Sequence, residues 1–189
     1  MYRPAEDTFF MEDIIKNYKG NFALEIGIGS GYLTSSLCSN FDFVIGTDLN
    51  FDSIIHAKNA TLSKYSNKLL ICTNLASSLN FRFDLIISNP PYLPSETEGV
   101  GLKDNTIYGG KEGLEFTFQF LSSIIPLLQE NGKILLLRSS LSNIEKMDNF
   151  IGDLFFQNKI LARKSLFFET LEIVELAGVK DSTSEIQES

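Results

Sequence analysis

The chain is poor in the residues that mark metal sites, disulfide frameworks and membrane spans. It has two cysteines, one histidine and no tryptophan, and these cysteines and the histidine lack the spacing of a zinc site. Cys38 and Cys72 fall in a predicted helix and a predicted strand, so we expect small buried thiols in a reducing compartment. No apolar run approaches the ~20 residues that cross a bilayer, and residues 1–7 contain no apolar signal-peptide core. We therefore expect a cytoplasmic protein without metal ligands, in which His56 is structural or exposed.

Positive charge is also scarce in this chain. The sequence holds 16 lysines and arginines against 24 aspartates and glutamates, which gives a formal net charge of −8. Proteins that bind duplex nucleic acid usually contact its phosphates with lysine and arginine, and the sequence has no block of five or more basic residues. A local basic patch is still compatible with this composition, but the balance of charge argues against nucleic acid as the sole partner.

The order of apolar segments predicts an α/β fold. Apolar residues make up 43% of the 189 residues, which suits one domain with a sizeable core. Strand-like and helix-like segments alternate, as they do around a parallel sheet. The predicted strands are 22–26, 43–47, 68–73, 83–88, 133–138, 160–168 and 169–177, and the predicted helices are 4–18, 31–39, 51–62, 114–129 and 142–155. Gly132 is expected to close the fourth helix. We expect a single domain over residues 1–180 and a polar, disordered tail over 181–189.

The tetrapeptide Asn89-Pro90-Pro91-Tyr92 directly follows the apolar strand 83–88. Proline fixes φ and keeps the preceding residue extended, so the motif can aim two oxygens rigidly: the Asn89 side-chain oxygen and the Pro90 carbonyl. Two such acceptors can hold both N–H groups of a planar amino nitrogen and stabilise the positive charge that grows on it during methylation. Tyr92 offers a flat face for the substrate group. The alternative is a proline turn that only closes the strand.

A second motif lies between the first predicted strand and its helix. It has the spacing GxGxG, with Gly27, Gly29 and Gly31. Missing Cβ atoms let such a backbone turn sharply and approach a ligand closely. Asp48 ends the second strand, where a carboxylate can bind both ribose hydroxyls of a nucleoside. Glu25 is a carboxylate inside an apolar strand, which a ligand with a charged amino group would explain.

Two other interpretations of the glycine motif are open. It could be an ordinary glycine turn beside an exposed aspartate, or the nucleotide loop of a dinucleotide dehydrogenase. Dehydrogenases favour G-x-G-x-x-G, and here Tyr32 occupies the position of the last glycine. Taken together, Glu25, the glycine turn and Asp48 suit S-adenosylmethionine, which carries a nucleoside, an amino acid and a sulfonium.

The ordered set of motifs resembles the class I S-adenosylmethionine-dependent methyltransferases. More narrowly, the chain resembles the HemK/PrmC family of protein-glutamine methyltransferases, in the short archaeal and eukaryotic branch that lacks the N-terminal helical domain of the bacterial enzymes. Three further stretches carry this resemblance: 2–9 matches the PAEDT motif, 108–113 a GG-x-x-G loop and 169–171 a Glu-Thr-Leu. The likeness extends from residue 2 to about 177. It implies a Rossmann-like α/β fold, with helices on both faces of a mixed seven-stranded sheet.

The resemblance also implies a role for each site residue. The expected catalytic residues are Asn89, Pro90 and Tyr92, and the expected cofactor contacts are Thr8, Glu25, Gly27, Gly29, Gly31, Asp48, Leu49, Asn74, Leu75 and Asn89. Asn74 departs from the family, which usually has an aspartate before Leu75 to contact the adenine. An asparagine oxygen can still accept from the adenine amino group but lacks the charge. We therefore expect weaker cofactor binding with activity retained.

By the same resemblance, the substrate is the glutamine of the Gly-Gly-Gln tripeptide in class I translation release factors. A small zinc-binding activator protein is expected to form a heterodimer with the chain along strand 68–73. That strand is apolar over 69–72, and the usual strand order places it at an open sheet edge, which recruits another strand. A neighbouring loop or the C-terminal tail could cover this edge instead. The glycine-rich loop 93–113 is expected to be mobile until a substrate peptide threads past it.

Two other functions compete with glutamine methylation. An adenine-N6 methyltransferase acting on nucleic acid uses a similar planar amine, but it would need a target-recognition region and a basic face for which the chain leaves no room. A non-catalytic binding module on the same scaffold is the other alternative. The intact tetrapeptide 89–92 and Asp48 argue against it.

Overall fold

The computed structural model describes residues 4–90 and 114–180, which contain five α-helices and seven strands. The α-helices are α1 (Glu6–Ile15), α2 (Tyr32–Cys38), α3 (Phe51–Asn59), α4 (Glu115–Ile124) and α5 (Ile144–Leu154), and Ile125–Leu127 forms a short 3₁₀ helix. The strands are β1 (Gly20–Ile26), β2 (Phe41–Asp48), β3 (Lys68–Cys72), β4 (Phe83–Ser88), β5 (Leu128–Ser139), β6 (Phe155–Ser165) and β7 (Thr170–Val179). Asparagine caps the N-terminus of two helices. The side-chain oxygen of Asn50 accepts from Asp52 N in α3, and that of Asn143 accepts from Lys146 N in α5.

The strands form one sheet in the order β3-β2-β1-β4-β5-β7-β6. The first five in this order are parallel, β7 pairs antiparallel with β5, and β6 pairs antiparallel with β7. The register brings the carboxyl ends of β1, β2 and β4 together, since Ile26 pairs with Thr47 on one side and with Ser88 on the other. The predicted mixed seven-stranded sheet is therefore confirmed.

Helices cover both faces of the sheet. On one face, α1 and α2 pack on β1, β4 and β5 through a cluster that includes Met11, Leu37 and Leu85. On the other, α4 and α5 pack through a cluster that includes Phe120, Leu121 and Ile151. Within residues 4–90 and 114–180, no helix has the length and hydropathy to cross a membrane. Because the helices lie on the two faces of the sheet, the loops that follow the parallel strands gather at its carboxyl edge.

The fourth helix is shorter than the sequence pattern predicts. It ends at Ile124, and the 3₁₀ turn that follows contains Pro126, which cannot continue an α-helix. Gly132, predicted to close the helix, lies instead inside β5. A Cβ at Gly132 would come within 2.8 Å of the Phe83 carbonyl oxygen, beside an irregularity in the pairing of β4 with β5. Gly132 therefore permits close strand packing, and the prediction of a helix-closing glycine was wrong.

The last two strands and one cysteine also differ from expectation. β6 begins at Phe155 and ends at Ser165, so Phe167 and Phe168 lie outside it and are highly exposed. Cys38 is buried as predicted, but Cys72 is exposed. The reason is the position of Cys72 at the end of β3, the edge strand of the sheet. The predicted edge position of β3 is confirmed, and Leu69 is 46% exposed on it.

Candidate active site

The predicted site residues gather at the carboxyl edge of the sheet. The glycine turn follows β1, Asp48 ends β2 and Asn89 follows β4, while Asn74 comes two residues after β3. From β1 the sheet extends to β2 on one side and to β4 on the other, so these strands frame a topological switch point. Open α/β sheets bind ligands in the crevice at such a point.

The glycine turn is held against the end of β2. The amides of Gly27 and Ile28 donate to the Thr47 carbonyl at 2.8 and 3.0 Å. Gly27, Gly29 and Gly31 have positive φ values of 81°, 50° and 78°, which favour glycine. A Cβ added at Gly27 would meet none of the described residues within 4 Å, so these residues leave open space in front of the backbone here.

Gly31 is constrained by packing. A Cβ there would come within 2.9 Å of the Ala57 Cβ and 3.1 Å of Leu62. Gly31 is also the residue at which α2 begins. The missing side chain therefore lets α2 start close to α3, and a contact of Gly31 with a cofactor stays a prediction.

The Asp48 carboxylate is fixed by two backbone amides. Gly29 N donates to Oδ2 at 2.9 Å, and Asn50 N donates to Oδ1 at 2.8 Å. Each carboxylate oxygen can accept more than one hydrogen bond. Asp48 thus couples the glycine turn to the start of α3, and it retains capacity for a hydroxyl donor.

Glu25 is a buried carboxyl on β1, directly before the glycine turn. It is 3% exposed, and the Thr34 hydroxyl on α2 donates to its Oε2. Burial, together with the nearby charge of Asp48, raises the pKa of Glu25 to about 8, although the hydrogen bonds from Thr34 oppose this shift. A cationic group brought beside this carboxyl would favour its ionised form.

The two ends of the Asn89 side-chain amide differ in their contacts with the described residues. Its Nδ2 donates to Asp7 Oδ2 at 3.0 Å, while its Oδ1 is buried and makes no hydrogen bond within the described part of the chain. An unsatisfied buried oxygen is costly unless a ligand supplies the donor. Pro90 is buried next to it, and Tyr92 lies outside the described residues, as does the predicted loop 93–113.

Asp7 and Thr8 reach the site from the start of α1. Both are buried, and Asp7 Oδ1 accepts from Thr8 N at 2.6 Å and from Thr8 Oγ1 at 3.2 Å. Sequence reasoning selected Thr8 and missed Asp7, although Asp7 is the aspartate of the PAEDT motif. An acid in the first turn of a helix is common for electrostatic reasons, so its burial could not be foreseen.

Helix α1 is tied to α2, which keeps its first turn at the site. The Glu12 carboxylate accepts from the Tyr32 hydroxyl at 3.0 Å and from the Ser36 hydroxyl at 2.9 Å. The rings of Phe9 and Tyr32 add an edge-to-face contact with centroids 5.5 Å apart. The glycine turn is therefore followed directly by α2, and α1 is held against α2 by these contacts.

Two exposed positions border the crevice. Leu49 is 71% exposed after β2. Asn74 is exposed, and Leu75 has a φ of 50°, a left-handed conformation that leucine rarely adopts. Sequence reasoning could select Leu75 only by resemblance, because its strain has no sequence signature. Strained backbone of this kind is frequent at binding sites.

The fold and the site together define a class I methyltransferase. The description "Methyltransferase small domain" belongs to the family model that matches residues 7–168 of the chain. The chain therefore belongs to this family, and the predicted kinship with the HemK/PrmC glutamine methyltransferases is confirmed by the relatives it matches.

Two curated relatives resemble the chain over nearly its whole length. A Methanocaldococcus jannaschii protein with the provisional name protein N5-glutamine methyltransferase is 32% identical, with 92% of this chain and 90% of that protein covered. The catalytic subunit of the eRF1 methyltransferase mtq2 of Schizosaccharomyces pombe is 27% identical, with 93% of this chain and 88% of that protein covered.

Solved structures show the same fold. The E. cuniculi Mtq2-Trm112 complex, described as methylating the eRF1 termination factor, has a chain that superposes with a TM-score of 0.74 at 23% identity. The match covers 94% of this chain and 98% of that chain. The ribosomal protein L11 methylase of Lactobacillus delbrueckii follows with a TM-score of 0.67 at 16% identity, over 93% of this chain and 81% of that one.

Proposed function

We propose that this chain transfers a methyl group from S-adenosylmethionine to the side-chain amide nitrogen of the glutamine in the Gly-Gly-Gln motif of a class I translation release factor. The observation that carries the proposal is the buried Asn89 Oδ1, which lacks a donor within the described residues and directly follows the strand that ends in the crevice. A primary amide supplies such a donor. The names of the relatives, protein N5-glutamine methyltransferase and eRF1 methyltransferase, support the same substrate.

The chemistry requires help because an amide nitrogen is a weak nucleophile. Its lone pair is delocalised into the carbonyl, and positive charge grows on the nitrogen as the new bond forms. Asn89 Oδ1 and the Pro90 carbonyl accept the two N–H groups, which holds the nitrogen on the line of attack and stabilises that charge. Tyr92 supplies a flat apolar face for the amide.

The residues at the glycine turn suit S-adenosylmethionine, which supplies the methyl group when bound. The open space in front of Gly27 would admit the methionine part, and ionised Glu25 would complement its ammonium group. The preset Asp48 carboxylate would accept from the ribose hydroxyls. Leu49, Asn74 and Leu75 would contact the adenine, and Thr8 would contact the cofactor from the start of α1. A single catalytic domain over residues 1–180 carries all of these groups.

A small zinc-binding activator protein pairs with β3 in this proposal. The strand is the edge of the sheet, and its Leu69 is 46% exposed. Edge strands that lack charges, proline or bulges recruit another strand, and here Lys68 is the one charged residue of Lys68–Cys72. A partner strand would satisfy the open backbone and cover Leu69. The Mtq2-Trm112 complex supplies the kind of partner to test.

The decisive experiment follows labelled methyl transfer from S-adenosylmethionine with purified release factor or duplex DNA as acceptor. Each acceptor is tested with and without the activator protein. We expect label on the release factor, none on DNA, and more turnover with the activator. A release factor whose Gly-Gly-Gln glutamine is replaced by alanine is the matched control and should stay unlabelled. Label on adenine alone would replace this proposal with the nucleic-acid alternative.

A further inference from the structure

We infer that Asp7 is a positioning residue, which fixes the end of the Asn89 side-chain amide that faces the methyl acceptor. This inference rests on the proposed function, because it assigns Asn89 Oδ1 to an acceptor N–H. It concerns a residue that sequence reasoning left without a role. The link joins the start of α1 to the end of β4, across 82 positions of the chain.

The chemistry of the two side chains makes the orientation unambiguous. An asparagine amide has an oxygen end that accepts and a nitrogen end that donates, and it can turn over to exchange them. An ionised carboxylate can only accept. The Asp7 Oδ2 atom lies 3.0 Å from Asn89 Nδ2, so the nitrogen end must face Asp7. The oxygen end must then face the other way, and Oδ1 is buried with no hydrogen-bond partner among residues 4–90 and 114–180.

Asp7 can impose this orientation because its own carboxylate is held in place. The other oxygen, Oδ1, accepts from the amide of Thr8 at 2.6 Å and from its hydroxyl at 3.2 Å. Asp7 is 6% exposed, and the helix that carries it buries Met11 and Ile15 completely. The carboxylate is therefore part of a packed helix start and is not free to follow a turned amide.

A turned Asn89 amide would be harmful in two ways. Its oxygen would face the Asp7 carboxylate, and its NH₂ group would face the N–H groups of the acceptor amide, so that like groups would meet on both sides. Asp7 thus acts through Asn89 on the reacting nitrogen.

The test is a set of three variants in which the donor and the acceptor are exchanged. Asp7→Asn keeps the size of residue 7, but its oxygen stays with the Thr8 amide and its NH₂ group then faces Asn89, which favours the turned orientation of the Asn89 amide. Asn89→Asp places two carboxylates face to face. The double variant Asp7→Asn/Asn89→Asp restores one donor facing one acceptor, and it leaves a second acceptor oxygen at position 89. Asp13→Asn, an exposed acid on the same helix, is the matched control.

Single-turnover and steady-state methylation of the release factor then separate kcat from KM. We expect Asp7→Asn to lower kcat on the order of 10²-fold, as for loss of one preorganised hydrogen bond, with KM and S-adenosylmethionine affinity within a few-fold. The exchanged double variant should regain at least about tenfold over Asp7→Asn, as expected when that hydrogen bond is restored, and Asp13→Asn should match the wild type. Wild-type kcat in Asp7→Asn would overturn the inference. A double variant no faster than Asp7→Asn would also overturn it, because a merely structural role predicts that result.

A second readout does not depend on the substrate. The side-chain NH₂ signals of Asn89, assigned by their loss in Asn89→Ala, should shift in Asp7→Asn and stay in place in Asp13→Asn. Unshifted signals in Asp7→Asn would overturn the inference even in an inactive protein. A wild type that leaves the release factor unlabelled while these signals shift would instead refute the proposed function alone.

Discussion

At the scale of single residues, Asn89 offers the most direct test of the chemistry. Replacing Asn89 with alanine removes Oδ1, which has no hydrogen-bond partner in the part of the chain that the structure describes and is proposed to act on the acceptor and not on the cofactor. We expect Asn89→Ala to lower kcat about 10²–10³-fold and to leave S-adenosylmethionine affinity within a few-fold. Methyl-transfer kinetics and calorimetry measure the two effects separately. Normal turnover in this variant would contradict the role assigned to Asn89.

Asp48 should show the reverse pattern. Its carboxylate is preset by the amides of Gly29 and Asn50, and hydrogen bonds from ribose hydroxyls to a charged acceptor contribute about 1.5–3 kcal/mol each. We expect Asp48→Ala to weaken S-adenosylmethionine binding by calorimetry before any effect on the methyl-transfer step. Asn74→Asp, which restores the usual family residue, should keep or tighten binding. Unchanged affinity in Asp48→Ala would place the nucleoside elsewhere.

Glu25 predicts a dependence of cofactor binding on pH. In the free protein its pKa is raised to about 8, so at pH 7 the carboxyl is mostly protonated and must lose its proton to face an ammonium group. We expect the affinity for S-adenosylmethionine to rise with pH, by up to about tenfold per unit below pH 8, and then to level off. Calorimetry from pH 6 to 9 measures this slope. Glu25→Gln should retain only the slope due to the ligand's own amino group, and equal slopes in both proteins would refute the link.

The same group affects the stability of the ligand-free protein. Because folding raises the pKa of Glu25 from 4.5 to about 8, its contribution to stability is fully present below pH 4.5 and is lost as the pH rises through about 8. The free energy of unfolding of the wild type should therefore fall, relative to that of Glu25→Gln, between these two pH values. Urea unfolding at pH 5 and pH 8 measures the difference, and a difference of opposite sign would contradict the assignment.

At the scale of elements, two glycines of the turn have different roles: Gly27 leaves space for a ligand, and Gly31 leaves space for the packing of α2. Gly27 and Gly31 both have left-handed φ values, so alanine at either position costs about 1–2 kcal/mol of backbone strain. A Cβ at Gly31 would also collide with Ala57, which adds about 1–3 kcal/mol of overpacking, whereas a Cβ at Gly27 would enter open space. Urea unfolding should show the larger loss of stability for Gly31→Ala. Calorimetry should show the larger loss of S-adenosylmethionine affinity for Gly27→Ala, and equal losses in both assays would contradict this division.

The elements also show how far sequence patterns reach. The core strands β1, β2 and β4 were predictable because they are apolar runs bounded by glycine, aspartate or proline. The end of α4 could in principle have been predicted from Pro126. The apolar residues continue at helical spacing past this proline, however, and that pattern favoured a longer helix. Gly132 could not be placed, because its role depends on the carbonyl of a neighbouring strand, which belongs to tertiary structure. The exposure of Cys72 could have been inferred, since strand 68–73 was already expected at the edge of the sheet.

The site divides in the same way. Asn89, Asp48 and the glycine turn each lie in a short motif whose chemistry can be stated from the residue types alone. Asp7 could not be assigned, because its partner is 82 positions away and only the packing of α1 brings the two together. The left-handed Leu75 likewise needs the folded backbone to be seen.

At the scale of the whole molecule, the two edges of the sheet are expected to differ in binding the activator protein. Leu69 on β3 and Phe156 on β6 are both exposed apolar residues on edge strands. We expect Leu69→Lys to weaken association with the activator protein and Phe156→Lys to leave it unchanged, because the partner is proposed to pair with β3. Leu70→Pro or Ile71→Pro should prevent the pairing, since proline removes a ladder donor.

Co-expression measures the consequence of that pairing. The chain alone should be poorly soluble, and it should gain both solubility and methylation activity with the activator. Circular dichroism of the proline variants checks that the fold survives. A stable and fully active monomer without a partner would refute the role of β3, as would a Phe156→Lys variant that loses the activator as completely as Leu69→Lys.

The position of α1 has a practical consequence for protein engineering. Its first turn holds Asn89 through Asp7, so a sequence inserted directly ahead of Glu6 would begin close to the side chain proposed to bind the acceptor amide. β7 runs the other way: Leu171 pairs with Ser139 at the carboxyl end of β5, and Leu176 pairs with Ile134, farther back along that strand. The backbone at Lys180, bonded to the Leu154 carbonyl, therefore leaves the domain at the opposite side of the sheet. Affinity handles, fluorescent reporters and surface linkers belong at that side, where they cannot crowd an incoming peptide.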